Sequence, residues 1–166
     1  ALALEPRLLI CDEPVSALDV SIQAQILRLL LDLQQQLNLT YMIISHDLRV
    51  IRYMCDELAV MYLGRVVEKG GSRAIYARPL HPYTSALVRS IPSHADVRQR
   101  GQRFSFLLGE VPSPLNAPSG CHFHPRCPLR EQLTPAEAAR CADEIPTLRP
   151  ITDDQSSACH FAERLL

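Results

Sequence analysis

Two short apolar runs constrain this chain more than anything else in it. "LLIC" at residues 8–11 ends in Asp12-Glu13-Pro14, and "YMIIS" at 41–45 ends in His46-Asp47. Runs this short and this uniformly apolar read as strands covered on both faces, the habit of parallel sheets. Between them Ile22, Ile26, Leu29, Leu30, Leu33 and Leu37 recur at three- and four-residue spacing. That spacing marks one face of a helix, with Asp19 as its N-cap and Asn38 at its close. Strand, helix, strand with so long a crossover obliges the two strands to run parallel. The carboxylates and the imidazole then fall at the carboxyl ends of strands, where open α/β sheets bind ligands.

Beyond this unit the pattern predicts a short helix over 47–55 and strands at 58–63 and 65–68 around Gly64. Gly70-Gly71 is expected to end the unit. Composition shifts near Pro92; from that residue to the C-terminus lie nine of the 13 prolines and four of the six cysteines. A segment so poor in periodic apolar residues needs a staple or a partner to fold.

The bulk numbers exclude several functions. The chain has 166 residues, is 47% hydrophobic and carries a net charge of −1. No basic excess is available for non-specific binding to nucleic acid or an anionic membrane. The longest apolar stretches fall well short of the ~20 residues of a membrane-spanning helix. The opening "ALALEP" lacks a basic n-region and an initiator Met. We therefore expect no signal peptide there, and a sequence that begins inside a larger protein. Without an export signal, six cysteines point to buried thiols or metal ligands rather than to disulfides.

An Asp-Glu pair at a strand end has two readings. It can cap the following turn, or it can do chemistry on a nucleotide. In nucleotide hydrolases the Asp orders Mg²⁺ and the next Glu polarises the attacking water. His46 alone reads as a hydrogen-bonded histidine at a strand end. Cys11 and Cys55 read as small buried hydrophobes. Cys121, Cys127, Cys141 and Cys159 are spaced C-x5-C-x13-C-x17-C. That departs from the tight pairs of zinc sites and the short spacers of ferredoxins. On spacing alone a Cys₄ metal site and four unconnected buried thiols stand equal.

Taken together, "DEPVSALDVSIQAQIL" and "IISHDL" resemble the ATP-binding subunits of ABC transporters. Asp12 and Glu13 match the Walker B pair, Ser16-Ala17-Leu18-Asp19 the D-loop and His46 the switch histidine. The resemblance implies that Asp12 holds the Mg²⁺ shell, Glu13 acts on the hydrolytic water and His46 contacts the γ-phosphate. It also implies that Asp19 reaches across a dimer. "YARPLHPYTSALVRSIP" at 76–92 and the Cys-rich tail resemble the oligopeptide/dipeptide (peptide/nickel) importer branch, so the resemblance covers nearly the whole chain.

The family's phosphate-binding loop, Gly-x-x-x-x-Gly-Lys-Ser/Thr, is not among these residues, nor is its Ser-Gly-Gly-Gln signature. The expected fold is therefore α/β: the C-terminal half of a P-loop-type ABC nucleotide-binding domain over 1–75, and a small irregular Cys-rich extension over 76–166. Alone, such a chain is expected to bind ATP poorly and to be inactive. The implied cofactors are ATP and Mg²⁺, and a 4Fe–4S cluster on Cys121, Cys127, Cys141 and Cys159. Zinc is the alternative there, with His122, His124 and His160 close in sequence.

The implied partners are a second ATP-binding subunit, two membrane permease subunits and, indirectly, a substrate-binding protein, with no nucleic acid. The implied place is the cytoplasmic face of the inner membrane. Two rival readings are an ABC-type ATPase outside transport and an ATP-incompetent remnant that keeps the metal tail and subunit contacts.

Overall fold

A computed structural model describes residues 1–91 and 110–166, so the compositional boundary at Pro92 lies outside the described residues. The chain divides into two compact units, Ala1–Asp56 and Glu57–Leu166.

In the first unit, β1 (Leu8–Asp12) pairs in parallel with β2 (Thr40–Ile44), in a register that sets Asp12 opposite Ile44. The crossover is α1 (Val20–Leu37). Its start is fixed by Asp19, whose Oδ1 accepts from the amides of Ser21 and Ile22, both at 3.0 Å. Asn38 ends it in the left-handed conformation, at φ 50°. The short helix α2 (Leu48–Met54) begins where Asp47 accepts from the Arg49 amide. Val15, Leu27, Val50 and Met54 form the core, with Ile26, Leu30, Leu31, Tyr41, Ile43 and Cys55 packed against it. Each such fully buried side chain contributes about 1.5–3 kcal/mol.

One expectation is met only by half. The apolar runs predict strands covered on both faces, yet Leu8, Ile10, Met42 and Ile44 are 51%, 60%, 55% and 47% exposed. Tyr41 and Ile43 pack with α1 and α2. Successive strand residues point to opposite faces, so the helices cover one face of the sheet and leave the other bare. At the N-terminus stands a single 3₁₀ turn, Leu2–Leu4, closed by Glu5 at φ 47°.

The second unit is built on the hairpin β3 (Glu57–Tyr62) and β4 (Arg65–Gly71). Leu63 and Gly64 turn it at φ 44° and 75°. Two positive φ values give the turn whose twist suits paired strands. Two further strands, β5 (Arg149–Pro150) and β6 (Gln155–Ser157), complete an antiparallel sheet ordered β3-β4-β6-β5. β4 runs through the Gly70-Gly71 pair and ends with it, while the second unit continues beyond. A Cβ on Gly70 would lie 2.4 Å from the Asp154 carbonyl oxygen, so glycine is what lets that backbone approach. Helices α3 (Ser72–Ala77) and α4 (Pro82–Arg89) follow, and later α5 (Pro135–Asp143), which opens on a Thr134/Glu137 capping box.

Because β4 pairs with β6, the structural division falls after Asp56, whereas the motif division was drawn between 75 and 76. The tail finds its partner in the hairpin. Phe123, 1% exposed, packs with Val60, Tyr62 and Val67. Its ring meets Tyr62 edge-on at 5.2 Å and Tyr83 at 5.4 Å, contacts worth about 0.5–1.5 kcal/mol each beyond burial. A polar knot ties the same region. Glu68, fully buried on β4, accepts from the amides of Leu80 at 2.7 Å and His81 at 3.0 Å, and from Gln155 Nε2 at 3.4 Å. Ser157 Oγ donates to the Leu80 carbonyl at 2.8 Å. No helix among the described residues is long and apolar enough to cross a membrane.

Candidate active site

The parallel register delivers the carboxylates and the imidazole to one end of the first unit. Asp12 is the last residue of β1, and Glu13 follows it, its amide donating to the Ile44 carbonyl at 2.9 Å. β2 ends at Ile44, and two residues later the His46 ring stands against Glu13. His46 Nδ1 and Glu13 Oε1 are 2.8 Å apart. The two residues singled out for catalysis, 33 positions apart in sequence, are thus brought into direct contact.

The two oxygens of Glu13 differ. Oε1 is held by His46, whereas Oε2 is buried and has no hydrogen-bond partner in the protein. A carboxylate oxygen left in this way is costly unless something donates to it. The imidazole itself is open, its side chain 79% exposed. The hydrogen bond to Glu13, and then that carboxylate's charge, raise the His46 pKa, with Asp47 adding to the effect. Burial alone would raise the Asp47 pKa, but the Arg49 side chain and amide hold it below its usual value.

A raised histidine pKa fixes the sign of its pH dependence. The contribution of the pair to stability is fully present below the unfolded-state pKa and is lost as pH rises through the raised one. We expect His46 to titrate above about 6.5, the ordinary histidine value, and Glu13→Gln to lower its midpoint. Histidine ring shifts followed by NMR across pH 5–9 check this. A midpoint that does not respond to Glu13→Gln would break the pairing.

Asp19 is placed as the cap of α1, the structural role read from the sequence. Cys11 and Cys55 are half-buried free thiols whose pKa burial pushes up. They behave as the small hydrophobes expected.

The four tail cysteines all lie in the second unit and are all free. Cys121 donates its amide to the Cys141 carbonyl at 2.9 Å, and Cys121 and Cys127 pack on the hairpin core. Burial pushes Cys127 up to about 11 and Cys159 up to about 12; Cys121 and Cys141 add to both shifts, and Cys127 adds to that of Cys159. Yet among the described residues no group of three or more His, Cys, Asp or Glu side chains is arranged to hold a metal ion. As placed, the thiols are neighbours in a low-dielectric tail and do not make a metal centre. The nearby histidines each make one contact away from the thiols, and His122 Nδ1 is buried with no hydrogen-bond partner among the described residues. His122 accepts from Arg65 Nε at 3.2 Å, His124 Nδ1 meets the Cys121 carbonyl at 2.9 Å and His160 Nε2 meets the Glu144 carbonyl at 3.0 Å.

The sequence places Ser16 only in the D-loop match and Glu68 in no motif, yet both have clear work in the structure. Ser16 holds the Glu13 carbonyl, and Glu68 ties the tail to the hairpin. An acid inside the apolar "GRVVEKGG" run was the one available signal for Glu68.

Residues 67–133 match the family model described as the oligopeptide/dipeptide transporter, C-terminal region. The chain is 52% identical over 160 residues to the "Probable peptide ABC transporter ATP-binding protein" of Sinorhizobium fredii, covering 96% of this chain and 43% of that one. It is 47% identical over 167 residues to the di/tripeptide transport ATP-binding protein of Pseudomonas aeruginosa, covering 100% of this chain and 48% of that one. Among solved structures, part of the chain is similar to cbiO1 of Clostridium perfringens, part of the ABC transporter complex cbiONQ. The identity there is 37% and the TM-score 0.43, over 46% of this chain and 30% of the other. The chain is therefore similar, over nearly its whole length, to ATP-binding proteins of peptide-type ABC transporters, and its match to the transporter C-terminal-region model is confined to residues 67–133. It spans about half the length of the curated relatives it matches.

Proposed function

We propose that this chain is the C-terminal part of the ATP-hydrolysing subunit of an importer of di- or oligopeptides. Residues 1–75 carry the ATPase motifs and residues 76–166 the extension. The observation that carries the reading is the 2.8 Å pairing of Glu13 with His46, next to Asp12, at the carboxyl ends of two parallel strands.

Bound Mg-ATP supplies the transferable γ-phosphoryl group. The protein's part is positioning and proton handling. His46 holds Oε1 and so orients the Glu13 carboxylate. Oε2, buried and without a protein partner, is the acceptor for a proton of the attacking water. Asp12 belongs to the Mg²⁺ shell, and the exposed His46 ring is accessible to the γ-phosphate. The phosphate-binding loop is not among these residues, so residues 1–166 alone are expected to show no Mg-ATPase activity. Turnover and nucleotide binding of the complete subunit carrying Glu13→Gln test the assignment.

The subunit works as a dimer with a second ATP-binding chain, towards which Asp19 reaches while its Oδ1 caps α1. Two membrane permease subunits and, indirectly, a substrate-binding protein complete the assembly at the cytoplasmic face of the inner membrane.

For the tail, the finer reading is one 4Fe–4S cluster on Cys121, Cys127, Cys141 and Cys159, with zinc as the alternative ion. Free thiols gathered in one unit support it; the side chains would have to close in to ligate. Because the unfolded chain holds no preformed site, metal binding would then contribute directly to folding the tail. Iron, acid-labile sulfide and zinc are to be measured on anaerobically purified protein. We expect iron and sulfide at one cluster per chain, reduced by Cys127→Ser. Stoichiometric zinc hands the site to the alternative, and neither metal removes it.

A further inference from the structure

Glu13 is held in a backbone conformation it would not choose. Its φ is 48°, in the left-handed region where a Cβ crowds the following carbonyl oxygen. It also precedes Pro14, and the proline ring pushes the preceding residue towards extended backbone, away from that region. A conformation disfavoured on both counts persists only where the surroundings over-determine it.

The surroundings do so from three sides. The Glu13 amide donates to the Ile44 carbonyl at the end of β2, at 2.9 Å. Its carboxylate meets His46 at 2.8 Å. Its carbonyl accepts twice from one residue: the Ser16 amide at 3.3 Å and the Ser16 hydroxyl at 3.1 Å. The amide bond closes a β-turn whose second position is Pro14, pre-set for it. The hydroxyl bond is supplied by a side chain, and so by the choice of serine at this position.

We propose that Ser16 is a positioning residue for the catalytic carboxylate, locking the left-handed Glu13 backbone so that its side chain stays on His46. The argument rests on the functional reading above for the word catalytic, and on the geometry for the rest. Backbone rotation at Glu13 swings the whole side chain, so loosening the carbonyl anchor moves both oxygens away from the His46 ring. Ser16 lies in the exposed turn between the carboxylates and α1. The anchor is therefore open to whatever docks on that turn.

The test uses two readouts and three variants, Ser16→Ala, Ser16→Thr and Glu13→Gln. In the 166-residue chain the His46 titration reports the pairing. The charged groups that act on it are Glu13 and Asp47. Ser16→Ala should shift the His46 midpoint towards that of Glu13→Gln, and Ser16→Thr, which keeps the hydroxyl, should restore the wild-type midpoint. In the complete subunit Ser16→Ala should lower kcat roughly 10-fold with KM for ATP unchanged, as expected when a misplaced group supports only the transition state.

If Glu13→Gln moves the His46 midpoint and Ser16→Ala does not, the anchor is refuted. A Ser16→Thr variant that behaves like Ser16→Ala refutes the role of the hydroxyl. If Glu13→Gln keeps wild-type turnover while the titration behaves as expected, the ATPase reading falls and the anchor stands.

Discussion

Glu13→Gln in the complete subunit should cut ATP turnover by roughly 10²-fold or more and leave nucleotide binding intact. The size follows from what is removed. A positioned general base contributes typically 10²–10⁴-fold, and glutamine keeps the shape while losing the proton acceptor. Binding should survive because the carboxylate acts on the water, and no phosphate contact is assigned to it. The geometry makes a second, linked demand. His46 holds one oxygen of that carboxylate at 2.8 Å while the other is left without a protein partner. His46→Ala should therefore also depress kcat more than it weakens binding, because it frees the base to turn. Residues that act as a unit are non-additive, so the double variant should be little worse than Glu13→Gln alone. Steady-state turnover beside a nucleotide-binding isotherm settles the matter. Wild-type turnover in Glu13→Gln would remove Glu13 from the chemistry, and an unchanged rate in His46→Ala would remove His46.

What could be read in advance was what short-range physics controls. The periodicity from Ile22 to Leu37, with a capping Asp19 and a closing Asn38, describes α1 as it stands, because caps and amphipathic spacing are local. The apolar runs gave β1 and β2 to within a residue, and the crossover length gave their parallel pairing. The contact of Glu13 with His46 followed, since parallel neighbours in register bring their carboxyl ends together. What the sequence could not show was set by contacts distant along the chain. Gly70-Gly71 looks like the end of the unit, and β4 does end at Gly71, yet β6, some 85 residues on, pairs over Gly70 and extends the sheet. The prolines and sparse periodicity of the tail suggested that it needed a staple. They concealed that Phe123 would bury itself against Tyr62 and Tyr83 of the preceding segment. The strain at Glu13 was also hidden, because a glutamate before proline carries no mark of a positive φ.

Glu68→Ala should be the most destabilising single change in the second unit, at about 3–5 kcal/mol. The carboxylate is fully buried on β4 and accepts from two consecutive amides, those of Leu80 and His81, at the entrance to α4. Truncation leaves both buried donors unsatisfied, at about 1–3 kcal/mol each, and adds the cost of a cavity where the side chain was. His81 cannot take over, because burial pushes its pKa down to about 3 and its Nδ1 already accepts from the Tyr83 amide. Glu68→Gln separates the two contributions. It fills the space but turns an NH₂ group towards one of the amides, so it should cost about 1–3 kcal/mol, one mispaired donor. Chemical denaturation gives the totals, and amide exchange gives their location. Protection should fall in β4, β6 and the first turn of α4, while α1, in the other unit, keeps its own. If both variants unfold within about 0.5 kcal/mol of wild type, a range ordinary for surface changes, then the tail is held by its aromatic core alone and the buried carboxylate is not its fastening.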